Sequence, residues 1–227
     1  MNESLTALRD EILLAALPHI PFDGWTSRAM RRGARDAGRD AAAADRAFPY
    51  GAADMIAHYS DLADRRMVAE MERRGVAQMK VRERIATAIR VRLEQAEPHK
   101  DAVRRALSVL ALPTNAPTAL RSLYHTVDAI WNAAGDTAAD WNFYSKRGLL
   151  AGVFSSTVLC WLDDTSADNA ETWAFLDRRV EDVMRLPKLT ERVRQACGRL
   201  TRPFRGGCVR THLIGALRLL RPGRCAG

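Results

Sequence analysis

The run from Gly148 to Leu162, GLLAGVFSSTVLCWL, carries no charged side chain. It follows a polar, aromatic and cationic turn made by Asn142, Phe143, Tyr144, Lys146 and Arg147. A bilayer-spanning helix needs roughly 20 apolar residues, so this run is too short to cross a membrane. It reads as a helix buried on most sides. Gly148, Gly152 and Ser156 recur every fourth residue, which places small side chains on one face and predicts close approach of another helix backbone there.

With 227 residues, 47% of them apolar, the chain can bury a full core in one domain. Cys160, Cys197, Cys208 and Cys225 show no CxxC spacing and are too few for a disulfide scaffold, so reduced thiols are expected. The opening MNESLTALRDEILLAAL mixes acids among its apolar positions and lacks a basic leader, which argues against a secretory signal. Charge is unevenly spread. From Arg185 onward the balance is +10, so residues 1–184 carry −2 of the total of +8. An acidic partner, phosphate or an anionic lipid surface, is expected to meet the tail.

Glycine and proline punctuate the chain at helix spacing, and no stretch shows sustained strand alternation, so the expected class is all-α. Leu5–Leu17 reads as a first helix that stops around Pro18 to Pro21. Thr26 can cap a second, bearing Arg28, Arg31, Arg32 and Arg35, and Asp40 a third. These make a small three-helix headpiece, residues 1–48. A helical body follows over 49–184, with helices near Ala52–Arg74, Val81–Ala96, Lys100–Ala111, Thr118–Asn132 and Asp168–Met184 around the central one. Gly75, Pro113 and Pro117 supply the breaks. Trp173, Leu176, Val180 and either Val183 or Met184 share a face of the last body helix, which must pack on the body or on a second copy. Residues 185–227 form a basic tail.

The chain has no GxSxG, GxxxxGKS, HExxH or ExxH pattern, and its five histidines are scattered, so no catalytic set, metal site or cofactor is expected. His58 near Asp61 and His125 near Asp128 read as solvated helix-face pairs, and Cys208 with His212 lacks further metal ligands. A basic second helix in a three-helix headpiece raises DNA binding. The third helix, DAAAADRAF, offers few donors to base edges, which argues against specific nucleic-acid recognition. An apolar ligand is a further reading. Leu107, Leu110, Leu120, Leu123, Val127, Ile130, Phe154, Val158 and Leu159 suffice to line a cavity, and the same residues equally describe an ordinary core.

The ordered runs ALSVLALPTNAP, VDAIWNAAGD, DWNFYSKRGLLAG and DDTSADNAETWAFLDRRVEDVM resemble the ubiquinone-biosynthesis accessory protein family. The resemblance covers about residues 11–184. It implies a TetR-like fold, a homodimer that binds lipid, and support of a demethoxyubiquinone hydroxylase without catalysis. The implied ligand is an isoprenoid quinone precursor or a phospholipid. The resemblance does not fix which apolar residues touch it; from the body helices the expected set is Leu107, Leu110, Leu123, Val127, Ile130, Phe154, Val158 and Leu159. The implied docking surface is Asp140, Asn142, Phe143, Tyr144, Lys146 and Arg147. Phe143 stands where the family usually has tryptophan, so aromatic character is kept while the indole donor is lost. The alternative is a TetR-like transcriptional regulator with a lipid effector.

The tail is read from its own chemistry. Wound as a helix, Cys208 to Arg221 gathers Val209, Leu213, Ala216, Leu217 and Leu220 in one apolar arc, bordered by Arg210 and Arg221. The expected membrane-contacting set is Val209, Arg210, Leu213, Leu217, Arg218, Leu220 and Arg221, with Arg218 on the opposite, cationic side. A second stripe, Leu189, Val193, Ala196, Cys197 and Leu200, lies upstream of a Pro203–Gly207 hinge and either shares that role or packs on the body. A cytoplasmic protein held peripherally at the inner face of a membrane is the expected setting.

Overall fold

A computed structural model describes residues 2–135 and 142–183, with side chains over 5–135 and 147–183. Ten α-helices are present among the described residues, and no strand is. They are α1 (Asn2–Ala16), α2 (Ile20–Asp23), α3 (Ser27–Asp36), α4 (Ala41–Ala47), α5 (Ala52–Arg73), α6 (Val81–Ala96), α7 (Lys100–Leu110), α8 (Ala116–Ala133), α9 (Asn142–Asp163) and α10 (170–183). None of the described helices is long and apolar enough to cross a membrane. The tail residues Val209, Arg210, Leu213, Leu217, Arg218, Leu220 and Arg221, and the pair Cys208 and His212, lie outside the described residues.

The headpiece forms as its capping chemistry dictates. Thr26 Oγ1 accepts the Ala29 N–H at 3.3 Å and Asp40 Oδ1 accepts that of Ala43 at 2.7 Å, which fixes the starts of α3 and α4. The expected break at Pro18–Pro21 is instead a further helical segment. Each proline sits in the first turn of a short helix, where its missing N–H costs nothing. Gly33 lets α3 cross α1 closely: a Cβ there would lie 2.6 Å from both Ala16 Cβ and the Ile12 carbonyl oxygen. Ile12, Leu13, Ala16, Ala29, Met30, Ala34, Ala43, Ala44 and Phe48 close this core together with Met55 and Ile56 of α5 and Ala102 of α7. The buried Trp25 indole donates to the Ala102 carbonyl at 2.9 Å, tying the turn after α2 to α7.

The body core gathers large side chains from α5, α6, α8, α9 and α10, among them Met67, Met71, Ile89, Leu93, Val127, Ile130, Trp131, Leu150 and Trp161. Gly75, in the left-handed region at φ 61°, ends α5 and turns the chain towards α6. Leu176 and Val180 of α10 are buried here, and Trp173 and Val183 pack against the same core, so the apolar face of α10 is met by the body.

The central helix departs from its expected burial. Only part of its girth is covered: Leu150, Val153, Val158 and Trp161 face the core, whereas Leu149 and Leu159 are exposed. Nothing lies within 4 Å of a Cβ built on Gly148 or Gly152, and the Ser156 hydroxyl turns back to the Gly152 carbonyl of its own helix at 2.8 Å. No described helix of the same chain uses the small-residue face. A charge-free sequence records only that no charge must be hydrated there; it does not say how many neighbours the helix has.

Candidate functional site

Between the N-terminal half of α5 and helices α6, α7, α8 and α9 the side chains fail to fill the space. They leave a cavity of about 420 Å³, within the range of ligand pockets, about 300–1,000 Å³. Its walls are mostly apolar. Leu107 and Leu110 come from α7, Leu123 from α8, and Phe154, Val158 and Leu159 from α9. Leu159 is 59% exposed and so stands at the mouth. Val127 and Ile130 do not line the cavity. Both are buried at 1% exposure or less in the body core behind it, where they pack with Trp131 of the same helix and with side chains of α5, α6 and α9.

One region of the wall is polar, and sequence reasoning missed it. Arg92 of α6 and Asp64 of α5 are 7% and 6% exposed, with Nε to Oδ1 at 2.6 Å. Thr126 Oγ1 donates to the other Asp64 oxygen at 2.9 Å, and Arg92 Nη2 donates to Ser60 Oγ at 3.0 Å. The guanidinium also lies over the Phe154 ring, 5.4 Å from its centroid. Arg92, Ser60 and Thr126 border the cavity directly, beside Tyr59 and Trp161. The signal available in sequence was a charge inside an apolar stripe. Arg92 falls in register with Ile85, Ala88, Ile89 and Ala96, and Asp64 with Met67 and Met71. Buried unpaired charges are strongly disfavoured, so two opposite charges at core-facing positions imply a pair.

The turn that opens α9 is the second candidate. Arg147 is 8% exposed, and its Nε and Nη2 donate to Asp128 Oδ1 of α8 at 3.0 and 2.6 Å. It therefore anchors the start of α9 against α8. Asn142, Phe143, Tyr144 and Lys146 occupy the first turns of α9, and their side chains lie outside the described residues, as does Asp140 altogether.

The scattered histidines resolve differently from their sequence reading. His58 is buried and pairs with Asp10 of α1 at 2.7 Å rather than with Asp61. Burial first, and the nearby Arg9 charge second, hold its pKa below the ordinary 6.5, against the opposing pull of Asp10. Asp128 is engaged by Arg147, while His125 stacks edge-on with Tyr124. In the headpiece, Arg31 pairs with Asp45 and Arg32 with Asp23, so acids of neighbouring elements neutralise part of the basic second helix.

The fold and cavity define a helical protein of TetR-like architecture with an apolar pocket in its larger part. A TetR transcriptional regulator from Nitrosomonas europaea superposes with a TM-score of 0.64 over 78% of this chain and 98% of that one, at 20% identity, which establishes the fold alone. A sequence model described as COQ9 matches residues 116–187. The chain is 34% identical to the ubiquinone biosynthesis protein COQ9, mitochondrial, of Rattus norvegicus over 214 residues, 91% of this chain and 68% of the relative. It is 33% identical to the Homo sapiens protein of the same name, over 91% of this chain and 67% of that one. The chain belongs to the COQ9 family of ubiquinone biosynthesis proteins, as the resemblance of its ordered motifs implied. The TetR-like fold by itself does not favour a regulatory role.

Proposed function

We propose that this protein is a non-enzymatic lipid-binding accessory factor of ubiquinone biosynthesis, which takes a prenylated quinone precursor from a membrane and presents it to a hydroxylase. The observation that carries this reading is the apolar cavity bordered by Leu107, Leu110, Leu123, Phe154, Val158 and Leu159. Membership of the COQ9 family gives the pathway. A cavity of about 420 Å³ accommodates part of a prenylated lipid, so the remainder extends through the mouth near Leu159, where a partner can receive it. The hydroxylase docks at the start of α9, through Phe143 and Tyr144 with Lys146 beside them. Arg147 acts there by holding the helix end against Asp128.

The exposed faces of α8 and α9 support a homodimer: Leu120 and Tyr124 on one, Leu149 with the open Gly148 and Gly152 on the other. The basic tail beyond Arg185 serves as the membrane contact. Organic extraction of the purified full chain, followed by mass spectrometry, tests the central claim. A stoichiometric prenylated quinone or related lipid is the expected result, and a protein free of lipid when purified without detergent speaks against it.

A further inference from the structure

Of the polar side chains in the body, the group around Arg92 is unusual in being both buried and open to the cavity. Arg92 spends Nε on Asp64 and Nη2 on Ser60 and Thr126, and among the described residues Nη1 has no partner. Asp64 in turn accepts from Arg92 through one oxygen and from Thr126 through the other. A guanidinium cannot give up its charge, and a donor left without an acceptor inside a protein is costly. Nη1 thus keeps two N–H donors unspent on a residue that borders an otherwise apolar space. Its net charge is zero, because the carboxylate of Asp64 already offsets the guanidinium. An anionic group arriving at Arg92 would have to share it with a buried carboxylate, and like charges held close in a low-dielectric site repel strongly. A neutral oxygen acceptor meets the donor without that penalty. The Phe154 ring lies under the guanidinium, 5.4 Å from it, and adds an apolar surface beside the donor.

We propose that Arg92, set by Asp64, Ser60 and Thr126, forms a polar recognition point within the cavity that selects lipids bearing a neutral carbonyl or similar oxygen and discriminates against free acids. The proposal rests on the reading of the cavity as a lipid site. It adds to that reading a preference for one functional group of the ligand, met where α5 and α6 border the cavity.

The test uses the full chain and displacement of the fluorescent apolar probe phenylnaphthylamine by a matched series: a saturated hydrocarbon, its methyl ester, the corresponding fatty acid, and a benzoquinone carrying a short prenyl chain. The ester and the quinone are expected to bind about tenfold more tightly than the hydrocarbon, the gain of a hydrogen bond to a charged donor, and the acid more weakly than its ester. The ester against the quinone separates an acyl-lipid source of the carbonyl from a quinone source. The paired variant Asp64→Leu with Arg92→Met removes both charges together and is expected to abolish the advantage of the oxygenated ligands over the hydrocarbon. Should that variant fail to fold, Ser60→Ala with Thr126→Val, which loosens the setting of Arg92, is expected to reduce the advantage severalfold. Equal binding of hydrocarbon and ester, an acid tighter than its ester, or an undiminished advantage in a folded variant overturns the proposal while leaving the cavity as a lipid site. If no member of the series displaces the probe, the lipid-site reading falls as well.

Discussion

In the headpiece, α3 approaches α1 until a single methyl on Gly33 would meet the Ile12 carbonyl oxygen at 2.6 Å, whereas in the body α7, α8 and α9 stand apart over about 420 Å³. Both regions are helix packed on helix. The difference lies in side-chain size. Alanine and glycine at Ala16, Ala29, Gly33, Ala34, Ala43, Ala44 and Ala47 allow backbones to approach until no space remains. Leucine, phenylalanine and tryptophan around the body hold helices at longer range, and five helices with such side chains need not fill their centre. The third helix of the headpiece is a packing element, with Ala43, Ala44 and Ala47 buried, and the body encloses a void.

Four measurements test this contrast. The largest effect is expected from Arg92→Met alone, which leaves the buried Asp64 carboxylate without its cation and should cost about 3–5 kcal/mol in chemical denaturation, with much of the loss restored by adding Asp64→Leu. A small loss would mean that the polar cluster is more hydrated than its burial implies. Next, Gly33→Ala should cost about 1–3 kcal/mol, because the atoms it meets include backbone that cannot rotate away. A neutral result there would show that the headpiece has slack after all.

The body should respond in the opposite sense to added volume. Ala119→Phe, directed at the cavity from α8, should change stability by less than about 1 kcal/mol and yet weaken displacement of an apolar probe, since the new ring enters space that already exists. A destabilisation matching that of Gly33→Ala would remove the contrast between the two regions. The smallest effect concerns pH at the junction of α1 and α5. The folded protein holds the His58 pKa below its unfolded value of 6.5, so the unfolded state binds the proton more readily in the interval beneath that value. Stability is therefore complete above about pH 6.5 and declines as pH falls through the lowered value. Asp10, held below 3.8 by Arg65 and His58 against the effect of its own burial, adds a further loss at still lower pH. Melting temperature against pH for His58→Gln should show a shallower decline in the first interval than the parent. His99, lowered by burial and by Arg66, leaves a residual slope.

Much of the architecture was legible from local chemistry. Thr26, Asp40, Gly75 and the prolines after Leu112 mark helix ends because capping, left-handed φ and a missing donor act within a few residues of chain. The apolar stripe of α10 correctly required a covering surface, and the body supplies it. The prolines at 18 and 21 misled because the same residue that ends one helix is well suited to begin the next. His58 misled because Asp61, near in sequence, is not the acid nearest in space; Asp10 is, brought by α1.

The amino-acid order by itself determined the all-helical class, the caps, the charge asymmetry and the family, since each depends on residue identity at short spacing or on long ordered motifs. Only the tertiary structure decided that Leu107, Leu123 and Phe154 border an open space while Val127 and Ile130 close the core behind it. Periodicity reports that a helix face is apolar, and that pattern is the same whether the opposing helices meet or stand apart. Tertiary structure also joined Arg92 to Asp64, Ser60 and Thr126, residues far separated along the chain. Burial compels such charges to find partners, but which partner each finds depends on how α5, α6 and α8 are docked.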